Sequence, residues 1–174
     1  MTGERPAAGY EIEFFGRADG SEPVRKFLDS LSEDKRDALL AALKFILARS
    51  GLDVCKSEWG KNLGGGLAEL RLRHDEREVL AGHSDTDDEK LPPGSPERIL
   101  LRVFFHAHGN RVILLLSGYD KGRRSSDRHQ QKEIERARGY LKEWQAEQAR
   151  HRRAKSDQAA QPRGVRSPRR RGRR

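Results

Sequence analysis

Tyr10, Ile12 and Phe14 alternate with Glu11 and Glu13, the period-two pattern of a half-buried strand. Gly16 to Gly20 interrupts it. Ser21, Glu22 and Pro23 then open a short helix, with Val24, Phe27, Leu28 and Leu31 at helical spacing. Ser32, Glu33 and Asp34 start a second helix, whose stripe is Leu39, Leu43, Ile46 and Leu47 and whose C-cap is Gly51. The pattern therefore predicts an N-terminal helical hairpin joined at Leu31–Ser32.

Leu52 to Gly66 carries no period and reads as irregular. Leu67 to Arg73 alternates again, with Leu70 and Leu72 between Glu69, Arg71 and Arg73, and Val79 and Leu80 extend that region. Ile99 to Ala107 and Arg111 to Ser117 read as two strands joined at His108-Gly109-Asn110. Val112 to Leu116 is apolar throughout, as a central strand covered on both faces requires. Gly118 to Ser126 is a basic loop. Asp127 to Gln148 is a helix with Ile134, Ala137, Leu141 and Trp144 on one stripe. The predicted order is β-α-α-β-β-β-α: an α+β domain built on a small antiparallel sheet, with the hairpin at one end of the chain and a helix at the other.

Composition changes this picture at the ends. Of 174 residues only 34% are hydrophobic, so part of the chain is expected to lie outside any core. Residues 1–9 read as a disordered N-terminus and 10–149 as the domain. The formal charge of +9 is not shared out evenly. Residues 150–174 hold eleven Lys and Arg against Asp157, a net +10 that leaves residues 1–149 at −1. That tail, with Val165 its only branched aliphatic, predicts disorder and nonspecific affinity for nucleic acid. Within the domain, Asp75 to Glu97 carries eight acids against two bases, and residues 82–97 are expected to form a mobile acidic loop. No apolar run approaches the roughly 20 residues of a spanning helix, so a membrane partner is not expected and a cytoplasmic location is. Cys55 is the lone cysteine, which excludes an internal disulfide.

Candidate chemistry is cationic. His106 and His108 share a side of their strand, but no third ligand accompanies them, so no metal is expected. Gly64-Gly65-Gly66 lacks the Lys-Ser/Thr of a phosphate loop, although its amides beside Lys61 suit a phosphate. Arg71 and Arg73 point the same way. Antiparallel neighbours can add Arg102, and Lys121, Arg123 and Arg124 follow the last strand. Several guanidinium groups around one phosphate both bind it and stabilise charge in a pentavalent transition state. The competing arrangement is a solvated sheet face, with Glu69 and Glu76 as surface partners.

Five segments in order carry a family resemblance: Gly66-Leu67-Ala68-Glu69-Leu70-Arg71-Leu72-Arg73; Arg102-Val103-Phe104-Phe105; Arg111-Val112-Ile113-Leu114-Leu115; Gly118-Tyr119-Asp120-Lys121; and Glu133-Ile134-Glu135-Arg136-Ala137. Together they resemble the phage-derived branch of the RelE/HigB-like toxins. The resemblance implies the toxin of a type II toxin–antitoxin pair, a metal-independent mRNA endoribonuclease without cofactor that acts on the ribosome. It implies as partners mRNA, the ribosome and a cognate antitoxin of helix-turn-helix type. By position it assigns Arg102 and Lys121 to the scissile phosphate and Arg71 to substrate positioning. Arg73, Lys61, Arg123 and Arg124 would contact RNA, and Tyr119 and His129 are the candidates for proton transfer. The chain departs from the family by its acidic insertion, by its basic tail, and by Lys121-Gly122 where a Lys-Lys pair is usual. Those departures keep open two alternatives: a noncatalytic nucleic-acid-binding module acting through the tail, or a protein-interaction module.

Overall fold

The computed structural model describes residues 9–160. The disorder expected at 1–8 and 161–174 falls outside those residues. The domain is α+β, with five strands in one mixed sheet of order β1-β5-β4-β3-β2. The strands are β1 (Glu11–Phe14), β2 (Gly60–Gly64), β3 (Leu67–Leu72), β4 (Leu101–His108) and β5 (Val112–Asp120). β1 runs parallel to β5 with Glu11 opposite Val112; every other pairing is antiparallel. The sheet is thus mixed rather than antiparallel. As its unbroken apolar run requires, β5 lies inside the sheet, between β1 and β4.

Helices cover both faces. On one side lie α1 (Pro23–Ser30) and α2 (Glu33–Ala42); α2 continues through a π-helical turn, Leu43–Leu47, into α3 (Ala48–Ser50). Gly51 ends this run at φ 54°, and the Tyr10 ring occupies the space a Cβ would need. Leu39, Ile46 and Leu47 pack there with Leu70, Leu72, Val103, Phe105, Ile113 and Leu115. α1 packs on β5 and α2 on a later helix, while Arg36 of α2 donates to Leu28 O and Leu31 O at 3.1 and 3.2 Å across the joint. On the other face α5 (Asp127–Ala160) lays Ala137 and Leu141 over Phe15, Leu67, Phe104, Leu114 and Leu116.

Three expectations are corrected. The irregular stretch holds a 3-10 turn, Gly51–Lys56, and then β2, which returns into β3 through Gly64, Gly65 and Gly66 at φ 78°, 61° and 79°. Three successive left-handed residues need glycine, and this need hid the hairpin behind a loop-like composition. Val79 and Leu80 belong to α4 (Glu76–His83), not to a strand. Asp75 caps it: its carboxylate accepts from Glu78 N and its own N donates to Glu78 Oε2, both at 2.9 Å. Finally, the last helix does not stop at Gln148 but continues to Ala160, so residues 150–160 are helical. Their alanines and long side chains favour helix even where nothing covers it.

The acidic insertion is folded against α2. α4 packs on α2 and buries Val79 in the core on that side. Ser95 Oγ donates to Asp34 Oδ2 at 2.5 Å, Ser95 N to Asp75 Oδ2 at 2.8 Å, and Arg77 to Pro92 O at 3.1 Å. These bonds anchor a segment that composition alone marked as mobile, and they hold it on the sheet face opposite α5.

Candidate functional site

A one-residue bulge in β5 arranges the candidate site. The register passes from Phe105 opposite Leu115 to Phe104 opposite Ser117, leaving Leu116 unmatched. An extra residue reverses the facing of everything after it. Ser117 and Tyr119 therefore turn to the α5 face, and Gly118 turns to α1. Two rows result across β3, β4 and β5: Glu69, Phe104 and Ser117 in one, Arg71, Arg102 and Tyr119 in the next.

Glu69 is the centre of this patch and was missed from sequence, where it read as a surface partner. It is 0% exposed. Arg71 Nε donates to its Oε2 at 3.2 Å. Arg102 Nε lies 3.2 Å from Oε1, within ion-pair reach, but Oε1 accepts no hydrogen bond from it. Arg102 is itself 4% exposed and gives another N–H to Leu101 O at 3.0 Å. Burial lowers its pKa, with Glu69 opposing the shift. Its guanidinium is thus directed to Glu69 and to the backbone at Leu101. The one available signal was the position of Glu69, alternating with buried leucines two residues from a cation on the same face.

Tyr119 is 6% exposed, stacks on Phe104 at 6.0 Å and meets the edge of His129 at 5.4 Å. Burial, reinforced by the charge of Glu69, raises its phenol to about 12. It is therefore a neutral hydrogen-bond donor at physiological pH. Its hydroxyl, like Ser117 Oγ, is buried without a partner among the described residues. His129 Nε2 faces Glu133 Oε1 at 3.6 Å, and Arg136 fixes that carboxylate with two bonds of 2.8 and 3.0 Å.

The remaining cations divide by exposure. Lys121 Nζ donates to Gln130 Oε1 at 3.1 Å, tying the end of β5 to α5. Asp120 organises the turn beyond, accepting from Gly122 N at 2.9 Å and from Lys35 Nζ at 2.8 Å. That turn leaves Arg123 and Arg124 exposed on the rim of a groove of about 220 Å³ whose wall includes Tyr119, His129 and Glu133. A second groove of about 240 Å³, lined by Ser117, Lys26 and Arg17, shares Gly118, Glu133 and Arg136 with the first. Arg73 is exposed just past β3, and Lys61 is exposed on β2 opposite Glu69. The structure thus gathers Arg71, Arg102 and Tyr119 in one row, sets His129, Arg123 and Arg124 beside it, and leaves Lys61 on the edge strand β2 and Arg73 past the end of β3.

His106 and His108 stack in parallel at 6.2 Å at the other end of β4. Among the described residues no group of three or more His, Cys, Asp or Glu is placed to hold a metal ion. No described helix is long and apolar enough to cross a membrane. No family model matches the chain, and no curated protein matches it.

Proposed function

We propose that this chain is the toxin of a toxin–antitoxin pair, an endoribonuclease that cuts mRNA on the ribosome. The observation that carries the proposal is the register row of Arg71, Arg102 and Tyr119, with His129 against the Tyr119 ring and exposed arginines on the groove beside it. In the proposed reaction the ribose 2′-hydroxyl attacks the adjacent phosphorus and the 5′-oxygen of the next nucleotide leaves. The products are a 2′,3′-cyclic phosphate and a 5′-hydroxyl. His129, oriented by Glu133, accepts the 2′ proton as the general base. Tyr119 lines the groove and stays protonated; a turn of its ring toward the groove would bring the buried hydroxyl out to donate to the phosphoryl oxygen or the leaving oxygen. Arg71, Arg123 and Arg124 neutralise the phosphate, and Arg102 acts from below through its charge and its hold on Glu69. Lys61 and Arg73 carry the flanking RNA backbone.

The anchoring of the acidic insertion on the opposite face supports the proposal, because eight acids beside the groove would repel RNA. The burial of Arg102 favours the alternative, a noncatalytic RNA-binding module. Primer extension on a reporter mRNA in reconstituted translation separates the two. The expected result is cuts at codon-related positions that require ribosomes and persist in EDTA. Tyr119→Phe is expected to lower cleavage about a hundredfold, the range of one proton-transfer group. An intact, folded protein that produces no cuts overturns the enzyme and leaves the module.

A further inference from the structure

A cavity among the described residues lies away from the groove, where α5 passes the ends of β4 and β5. Its volume is about 550 Å³, within the roughly 300–1,000 Å³ of small-ligand sites. Its walls are His106 and His108 from β4 and Trp144, Gln145, Gln148 and Arg152 from α5. Trp144 lies 4.6 Å from the His108 ring and 5.5 Å from that of His106. His106 Nδ1 is held by Gly66 O at 2.7 Å, and His108 Nε2 by Glu13 Oε2 at 3.3 Å. Three rings are thus fixed around one opening.

The helix stripe facing that opening changes character along its length. Ala137 and Leu141 are buried on the sheet. One to three turns further on, Trp144, Gln148 and Arg152 follow four residues apart on one face. Closing a core there would require apolar residues. The chain instead supplies an indole, two side-chain amides and a guanidinium. Glu143 and Glu147 precede Arg152, and around it the described helix carries Arg150, Arg153 and Lys155 against Asp157, so the end of the pocket at Arg152 is the one suited to a phosphate.

We infer that the pocket between β4 and α5 binds one nucleotide unit: the base against Trp144 and the histidine rings, its polar edge on Gln145 and Gln148, its phosphate on Arg152. Aromatic faces accept any base, so the site is tolerant of sequence, and amides add edge contacts. Its ligand is a free nucleotide or a unit of a single strand; the chemistry is the same and the experiment distinguishes them. The site does not depend on strand cleavage by the groove.

Trp144 is its own reporter. The chain has two tryptophans, so full-length protein with Trp59→Phe leaves its fluorescence to Trp144. The titrants are AMP, an adenylate octamer and ribose 5-phosphate. Saturable quenching by AMP and octamer, with none by ribose 5-phosphate, is expected; quenching by the octamer alone assigns the site to a strand. Arg152→Gln is expected to weaken binding on the order of tenfold, as removal of a charge-assisted phosphate bond does. Equilibrium dialysis of labelled AMP and octamer against the unsubstituted chain and Arg152→Gln repeats the comparison without Trp59→Phe. No saturable binding of AMP or octamer at millimolar concentration overturns the site. So does equal quenching by ribose 5-phosphate, or unchanged affinity in Arg152→Gln. Cleavage is not read, so failure of the toxin proposal leaves these outcomes as they stand.

Discussion

A carboxylate withdrawn from water costs several kcal/mol unless its charge is met, and Glu69 is met from two sides. The two arginines are not equivalent. Arg71 is partly solvated, whereas Arg102 is enclosed and has no other carboxylate within ion-pair distance among the described residues. Glu69→Gln therefore strands a buried guanidinium and is expected to lose about 3–5 kcal/mol. Arg71→Ala removes a hydrogen bond from the buried Glu69 but leaves its charge facing Arg102, and is expected to lose less, about 1–3 kcal/mol. Denaturant midpoints of the two variants check the difference; equal midpoints would mean that water, not Arg102, meets the Glu69 charge. The state of Tyr119 follows first from its burial and then from Glu69, since its ionisation would place a second negative charge beside a carboxylate already buried.

At the scale of elements, Gly118 shows how closely α1 approaches β5. A Cβ there would lie 2.5 Å from the Phe27 ring and 3.0 Å from Arg102 O. Gly118→Ala is expected to cost about 1–3 kcal/mol by overpacking, and Phe27→Leu in the same chain to cost less than the sum of the two. A urea double-mutant cycle measures that coupling, and strict additivity would show that α1 does not rest on this position. Elements with a regular period were legible in the sequence: β1, the core of β5, and the start of α5 at Asp127. Others were hidden for physical reasons. β2 is short, edge-placed and glycine-rich. α4 has one buried residue, Val79, and so no stripe, although its Asp75…Glu78 capping box was readable. The bulge at Leu116 leaves no mark in an unbroken apolar run, and with it the side on which Tyr119 faces was hidden. The cations of the candidate site were legible as residues, but their exposure was not. The register buries Arg102, and the Asp120 turn beyond β5 leaves Arg123 and Arg124 exposed.

Among the described residues the charge is divided: the acidic insertion lies on α2, the candidate groove and cavity lie along α5, and residues 150–159 of α5 carry four cations against one acid. Residues 150–159 are exposed along α5, so they add little to stability. Truncation after Ala149 is expected to shift the unfolding midpoint by no more than about 2–4 °C, the effect of about 1 kcal/mol in a chain of this size. The same truncation is expected to flatten the salt dependence of RNA binding, by about 0.7 in log–log slope for every phosphate the tail had neutralised. Binding measured across a salt series tests this, and an unchanged slope would show that the tail does not touch the RNA.

The parallel pairing of β1 with β5 also sets a timetable. Glu11 emerges first and its partner Val112 roughly a hundred residues later, some 5–20 s at ordinary rates of synthesis. Through that interval the apolar side of β1, Tyr10, Ile12 and Phe14, has no strand to lie beside. A nascent chain halted before Val112 would present that strip unpaired, a ready template for another chain's edge.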